Sequence, residues 1–209
     1  MSPDSYVQMA FQLAYYKMNK APGLLHESVS LRNFLYGRTE GVRGSSTESL
    51  SFCKVFESPS AGMEEKEISL RRAVTKHKRD VALAISGLGI DRLLFGLKMI
   101  AMENGMPLPA LFKDPAFDLS RRFRIKTTQV SARCDGVMIV GPVFPDGYFV
   151  LYNMRSDSVN FGVSSFGSCS TTSAAEFRNA LKESLIQMHD CVLHSQTHLG
   201  IKVRVQDPC

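Results

Sequence analysis

Most of the chain places apolar residues at the spacing of an amphipathic helix. The first such stretch starts at Ser2-Pro3-Asp4, where a hydroxyl cap, a proline and an early acid are typical of a helix N-terminus. This stretch ends at Pro22-Gly23, a pair that breaks helices. Further helical patterns predict helices over residues 30–37, 47–56, 63–86, 90–104 and 172–193.

After residue 122 the period changes from that of a helix to that of a strand. Aromatic and β-branched residues predict strands over residues 123–130, 136–140, 148–153 and 159–164. Pro145-Asp146-Gly147 predicts a tight turn, because proline fixes one dihedral angle and glycine adopts positive φ. From this pattern we expect one α/β unit, with helices first and a mostly antiparallel sheet after them.

Composition and charge exclude few function classes. The 209 residues are 44% hydrophobic and carry a net charge of +5, which suits a packed domain with a phosphate-bearing ligand. The basic residues are scattered without a nucleic-acid-binding pattern, and no stretch reaches the ~20 apolar residues of a transmembrane helix. Five cysteines without a CxxC pair favour free thiols over a disulfide framework or a zinc site. Neither end carries a targeting pattern that predicts a compartment.

Residues 141–152, Gly-Pro-Val-Phe-Pro-Asp-Gly-Tyr-Phe-Val-Leu-Tyr, resemble a signature of the choline/carnitine acyltransferases. These enzymes exchange acyl groups between coenzyme A and a quaternary-ammonium alcohol. Five further stretches resemble motifs of the same family, in the same order: residues 2–17, 26–28, 37–43, 90–97 and 126–130. Six matches in one order are more specific than any single motif, and together they cover most of the chain.

The resemblance implies an α/β fold of the CoA-dependent acyltransferase (chloramphenicol acetyltransferase-like) kind, a half-domain in which helices pack a mixed sheet. Residues 1–193 would be the carboxy-terminal half of a choline/carnitine acyltransferase domain, and residues 194–209 a peripheral tail. The implied reaction moves a short- or medium-chain acyl group between coenzyme A and carnitine. Acyl-CoA and carnitine are then the partners, coenzyme A is a substrate, and no separate cofactor or metal is expected.

The same resemblance implies that a catalytic group is missing. The family's general base is a histidine of a His-x-x-x-Asp motif in the first half, and no histidine here is followed four residues later by aspartate. Because a general base must reach the proton that it removes, we expect this chain to be inactive alone. The missing amino-terminal half is a candidate partner. Two alternatives stay open: an inactive binding or regulatory module, and a choline O-acetyltransferase-like enzyme.

The matched motifs also imply roles for individual residues. Thr128 would donate a hydrogen bond to the oxyanion that forms when the acceptor hydroxyl attacks the thioester. The resemblance assigns His26, Ser28, Thr39, Arg92 and Thr128 to carnitine, Asp4, Lys78 and Gln129 to coenzyme A, and Met138 to the acyl pocket. Arg92 and Thr39 favour carnitine over choline, since choline has no carboxylate for a guanidinium to bind.

Each of these residues also has a simpler structural interpretation. The simpler roles are an ordinary strand residue for Thr128, a salt bridge with Asp91 or Glu103 for Arg92, a loop or cap for Thr39, a helix cap for Ser28, a helix-start acid for Asp4, a solvated charge for Lys78, and core packing for Met138.

Four positions depart from the family pattern. His26 replaces a tyrosine, Gly41 is a further difference, and Val140 replaces an aromatic residue near the trimethylammonium group, which removes a cation–π contact of roughly 0.5–2 kcal/mol. Lys126 replaces the first serine of a Ser-Thr-Ser motif. If Lys126 faced the ammonium about 5 Å away, the repulsion would be roughly 3 kcal/mol at an effective dielectric constant near 20. The acceptor is therefore either carnitine that binds weakly or a different alcohol.

Overall fold

The structure is a computed structural model that describes residues 1–130 and 138–198. Six α-helices are present in these ranges. They are α1 (Pro3–Asn19), α2 (Thr47–Glu57), α3 (Met63–Leu83), α4 (Asp91–Glu103), α5 (Pro115–Leu119) and α6 (Ala174–His198), with a π-helical turn at Ala84–Leu88 and a 3-10 turn at Ala110–Lys113. None of the helices in the described part of the chain is long and apolar enough to cross a membrane.

Five strands form one mixed sheet. The strands are β1 (Leu25–Ser30), β2 (Thr39–Arg43), β3 (Ile125–Gln129), β4 (Tyr148–Met154) and β5 (Val159–Ser164), in the spatial order β2-β1-β3-β4-β5. The pairs β1–β3 and β3–β4 are parallel, whereas β1–β2 and β4–β5 are antiparallel. The mixed sheet that the resemblance implies is confirmed. The mostly antiparallel sheet expected from the pattern is wrong, because the helices between β2 and β3 return the chain parallel to β1.

The helical pattern predicted most helices correctly but failed at residues 30–37. This segment is a compact loop that joins β1 to β2, held by the bond from the Leu31 N–H to the Arg38 carbonyl at 3.0 Å. Strands β1 and β2 were not predicted at all. Of the strand expected over residues 136–140, positions 136 and 137 lie outside the described residues, and residues 138–140 form no regular structure.

The core lies between one face of the sheet and four helices. Helix α1 packs against α2, α3 and α6, and its Phe11 is fully buried. The Phe11 ring makes edge-on contacts with Tyr152 of β4 and Phe161 of β5, at centroid distances of 5.6 and 5.9 Å. These helices cover only one face of the sheet, which leaves the face of β1 and β3 that carries the candidate residues uncovered by them.

Candidate functional site

Side-chain alternation along β1 and β3 divides the candidate residues between two faces of the sheet. His26 and Ser28 alternate with the buried Leu25 and Glu27 along β1. In β3, Lys126 and Thr128 alternate in the same way with the fully buried Ile125 and Thr127. Since successive strand residues point to opposite faces, and His26 pairs with Lys126, these four residues share the face away from the core helices. We call it the open face.

Thr39 and Arg92 meet beside the open face. Thr39 begins β2, and Arg92 lies in the first turn of α4. The Arg92 guanidinium donates from Nε to the Thr39 carbonyl and from Nη2 to the Thr39 hydroxyl, each at 3.2 Å. The salt bridge that a structural role predicts between Arg92 and Asp91 is not what the structure shows. Asp91 instead accepts two hydrogen bonds from Arg43, at 3.1 and 2.7 Å.

Gly41 explains how His26 and Asp91 come close to β2. A Cβ atom at position 41 would lie 2.5 Å from His26 Nε2 and 2.7 Å from Asp91 Oδ2, closer than real Cβ atoms are found. A larger residue would therefore displace the imidazole or the carboxylate. The departure from the family pattern at this position makes room for the observed arrangement.

His26, Arg92 and Lys126 line a cavity of about 200 Å³ on the open face, whereas Ser28, Thr39 and Thr128 lie outside its lining. Its lining residues are His26, Gly41, Arg43, Asp91, Arg92, Leu94, Phe95, Phe117, Arg121, Phe123, Lys126 and Val143. Motif matching assigned no role to Asp91 or Arg121. Arg121 lies over the rings of Phe117 and Phe95, at 5.6 and 5.9 Å from the ring centroids. In the sequence, only the run of basic and aromatic residues before β3 could have indicated that Arg121 lines a cavity.

His26 is a neutral group at physiological pH in this cavity. Burial, with the nearby Lys126 ammonium, lowers the pKa of His26 from 6.5 to about 4. Lys126 Nζ lies 3.1 Å from His26 Nδ1, so the lysine donates and the imidazole accepts. The remaining His26 proton is then on Nε2, which lies 3.9 Å from Asp91 Oδ2. Burial also lowers the pKa of Lys126, and the Arg92 charge lowers it further.

Thr128 is half-buried on the open face near the end of β3. Its hydroxyl donates to the Thr127 backbone carbonyl at 2.8 Å. This bond is weakly constraining, because a threonine hydroxyl can rotate toward another acceptor. The hydroxyl is therefore available to donate to a ligand on the open face.

The residues expected at coenzyme A lie on other parts of the molecule. Gln129 is exposed at the end of β3 and pairs with Tyr152 of β4. The Tyr152 hydroxyl in turn donates to Asp4 Oδ1 at 2.5 Å. Lys78 is exposed on α3, whereas its neighbour His77 is buried against Ser5, with 3.0 Å between Nδ1 and Oγ. Asp4 and Lys78 thus lie on helices that cover one face of the sheet, and Gln129 lies at the end of a strand.

Met138 lies apart from the cavity. It is 56% exposed and is not one of the lining residues. Val140, in the same segment, is exposed and accepts a hydrogen bond from the Ser164 hydroxyl at its backbone carbonyl. The structure does not bring Met138 into contact with the other candidate residues that it describes.

A buried polar network under the sheet was not recognised in the sequence. Glu27 Oε2 and His77 Nε2 lie 3.0 Å apart, and with Asp4 they form a group whose ligand atoms lie within 4.8 Å and could hold a metal ion. Burial raises the pKa of Glu27. Gln8 adds hydrogen bonds to Tyr152 at 2.9 Å and to Thr127 at 3.0 Å. In the sequence, only Glu27 pointed to this network, because it lies inward between Leu25 and Val29. That position can be recognised only after β1 is identified as a strand.

Comparison with known proteins supports the motif-based resemblance. The choline/carnitine O-acyltransferase family profile matches residues 1–183. Carnitine O-acetyltransferase of Columba livia is 43% identical over 188 residues, which cover 90% of this chain and 30% of the relative. Choline O-acetyltransferase of Sus scrofa is 35% identical over 95% of this chain and 31% of the relative. Human peroxisomal carnitine O-octanoyltransferase is 34% identical over 95% of this chain and 32% of the relative.

The chain thus spans less than a third of the length of each of these relatives. The match nevertheless extends over nearly all of the described structure, including every strand of the sheet and the cavity on its open face. The motif order, the mixed sheet and these similarities agree with one another. This chain belongs to the choline/carnitine O-acyltransferase family.

Proposed function

We propose that this chain carries the acceptor-binding part of an acyltransferase that moves a short- or medium-chain acyl group between coenzyme A and carnitine or a carnitine-like hydroxy acid. The observation that carries the proposal is the contact between Arg92 and Thr39 beside the cavity on the open face. The two residues come from different elements and form a group of donors suited to a carboxylate.

In this proposal the acceptor carboxylate binds the Arg92 guanidinium, the Thr39 hydroxyl and the His26 Nε2–H, with Ser28 as a further donor. The acceptor hydroxyl then points toward Thr128 on the same face. As that oxygen attacks the thioester carbonyl, Thr128 donates to the oxyanion, a contribution of about 3 kcal/mol for one donor. A base supplied by a partner would take the hydroxyl proton and return it to the sulfur as the carbon–sulfur bond breaks, so that coenzyme A leaves as a thiol.

The alternation of side chains along β3 supports binding of the two substrates on opposite faces of the sheet. Thr128 and Gln129 are consecutive, so their side chains point to opposite faces of the sheet. The acceptor would occupy the open face, and coenzyme A would approach the end of β3 from the helix side, near Asp4 and Lys78. Met138 has no part in this arrangement, because its side chain is exposed and lies apart from the cavity.

A choline-specific enzyme is disfavoured by the same residues. Choline offers no carboxylate to Arg92, whose guanidinium has no acidic partner among the described residues. An unpaired cation at the site would also repel the ammonium of choline. We therefore place carnitine-like acids ahead of choline.

We infer that the 209-residue chain does not catalyse transfer alone. His26 is the only histidine that lines the cavity among the described residues, and its pKa of about 4 makes it a weak base. Its Nδ1 is also occupied by Lys126. The base would come from a partner, the amino-terminal half of such an enzyme. A non-catalytic binding module is the second candidate, favoured by the same lack of a base.

The proposal is tested by measuring the release of CoA from acetyl-CoA in the presence of carnitine or choline. The chain is assayed alone and after addition of the amino-terminal half of a family enzyme. We expect no release alone, carnitine-dependent release after addition, and a loss of about tenfold or more in Arg92→Ala. Arg178→Ala, which removes an exposed guanidinium of α6, is the matched control.

Two results would count against this proposal. Activity of the chain alone would show that it holds a base, and His26→Gln would then identify whether His26 supplies it. Binding of coenzyme A without transfer under any condition, including complementation, would favour the binding module instead.

A further inference from the structure

The cavity on the open face holds more positive charge than one carboxylate requires. Its lining includes four cationic side chains, Arg43, Arg92, Arg121 and Lys126, and one carboxylate, Asp91. Arg43 and Asp91 pair at 2.7 Å. Among the described residues, this leaves three cations at the cavity without an acidic partner.

No other group that is described at the cavity offsets this charge. His26 is neutral at pH 7 because its pKa is about 4. Glu40 is buried, and its Oε1 accepts from the backbone N–H groups of Gly41 at 2.7 Å and of Arg92 at 3.3 Å, outside the cavity lining. Arg121 and Lys126 are partly buried, whereas Arg92 is exposed. Partly buried cations are unfavourable without anionic partners, so a ligand is the natural source of the missing negative charge.

The unused hydrogen-bond donors at the cavity also indicate an anionic ligand. Lys126 has three N–H donors, and one of them is directed at His26. Arg92 has five N–H donors, and two of them bond to Thr39. The remaining donors come from β3 and from α4, two elements on either side of His26. A ligand that satisfied both would present anionic oxygens at two separate points.

We infer that the acceptor of this chain is a small hydroxy-dicarboxylate, in which one carboxylate binds Arg92 and Thr39 and the second binds Lys126. This inference rests on the proposed function and narrows its acceptor. Lys126 is then the residue that determines specificity, because its ammonium attracts a second carboxylate and repels a quaternary ammonium at the same place.

The test compares three acids that share a 3-hydroxycarboxylate unit: carnitine, 3-hydroxybutyrate and 3-hydroxyglutarate. They differ only in the group at the far carbon, which is a trimethylammonium, a hydrogen or a carboxylate. Calorimetric titration of the 209-residue chain should show that 3-hydroxyglutarate binds about tenfold or more tightly than carnitine, since a hydrogen bond to a charged group contributes about that much. Coenzyme A is titrated in parallel, because its binding tests the proposed function independently.

Two substitutions of Lys126 test whether its ammonium causes the preference. Lys126→Ser and Lys126→Met should each reduce the preference for 3-hydroxyglutarate over carnitine about tenfold and leave the binding of coenzyme A unchanged. Lys54→Ser removes an exposed cation of α2 and should leave the preference as it is.

Several outcomes would overturn the inference. These are tighter binding of carnitine than of 3-hydroxyglutarate, a preference that survives in both Lys126 variants, and binding of coenzyme A without binding of any of the three acids. Weaker binding of coenzyme A in the Lys126 variants would also overturn it, because the cavity would then be a phosphate site. Failure of coenzyme A to bind the unmodified chain would instead count against the proposed function.

Discussion

The two faces of the sheet place similar residues in different surroundings. Thr127 and Thr128 are consecutive residues of β3, yet Thr127 is fully buried and bonded to Gln8 at 3.0 Å, whereas Thr128 is half-buried and bonded only to the backbone. Alternation along a strand is sufficient to produce this difference. On the helix face the hydroxyl is bonded to another side chain inside the core, whereas on the open face it is bonded to backbone near the surface.

The charged groups of the two faces differ in the same way. On the helix face, Glu27 faces His77 at 3.0 Å, and Asp4 accepts from Tyr152. On the open face, Lys126 and Arg92 have no acidic partner among the described residues, although burial and then the charge of Arg92 lower the pKa of Lys126. The acidic groups of the helix face thus have neighbours within the chain, whereas the proposed ligand would supply the negative charge on the open face.

The largest effect on stability should follow loss of a ring from the helix face. Phe11→Ala should lower the free energy of unfolding by about 3–5 kcal/mol, because the ring is fully buried between α1 and the sheet. Urea denaturation measures this change. Leu35→Ala, at a position that is 86% exposed, is the control and should change stability by less than about 0.5 kcal/mol. Equal effects of the two substitutions would show that the buried ring of the helix face does not stabilise the fold more than an exposed residue does.

The second effect is a dependence of stability on pH that arises on the open face. His26 has a pKa of about 4 in the folded chain and about 6.5 when unfolded, so the unfolded chain binds more protons between these values. The stabilisation is therefore complete above pH 6.5 and is lost as the pH falls toward 4, by roughly 2–3 kcal/mol. Urea denaturation at several pH values from 4 to 7 measures the loss.

His26→Gln is the matched variant, because it removes the titration of this imidazole alone. The raised pKa of Glu27 contributes with the opposite sign, since that stabilisation is lost as the pH rises, so the difference between the two proteins isolates His26. Parallel pH profiles for the two proteins would show that His26 does not titrate as its surroundings require.

A smaller effect distinguishes the two adjacent threonines directly. Thr127→Val should cost about 1–2 kcal/mol of stability, because it removes a buried hydroxyl that accepts from Gln8 Nε2 at 3.0 Å and donates to Gln8 Oε1 at 3.3 Å. Thr128→Val should change stability by less than about 0.5 kcal/mol, yet lower acyl transfer in the complemented enzyme on the order of 100-fold. Denaturation and CoA release measured on both variants give the result. If both variants lost stability equally, the two faces would not differ in role.

The sequence predicted the elements that bury a regular apolar face. Helix α1 and strand β4 are buried over most of their length, and their long runs of mostly apolar residues were sufficient to predict them. Strands β1 and β2 were missed because they contain Glu27, Ser28 and Gly41, which lack a strand pattern. The outward residues of these strands are those proposed to bind the acceptor, and their polar character hid the strands.

Motif matching found part of the candidate site and missed the rest for a physical reason. It named Arg92 and Thr39, which meet in the fold. It did not assign Asp91 to Arg43, or place Arg121 over Phe117, because these contacts depend on how α4 and α5 dock beside the sheet. Parallel pairing of β1 with β3 likewise depends on contacts between residues about 100 positions apart, which no local pattern encodes.

The smallest predicted effect concerns Ser28 and tests whether the open face binds a ligand or only supports the fold. Ser28 is half-buried on the open face, so Ser28→Ala should change the free energy of unfolding by less than about 0.5 kcal/mol. The same substitution should weaken acceptor binding roughly three- to tenfold, because one hydroxyl donor is lost. Ser30→Ala, at the exposed end of the same strand, should alter neither quantity. Calorimetry and denaturation together decide the matter: a loss of stability without a loss of affinity at Ser28 would make the open face a structural surface.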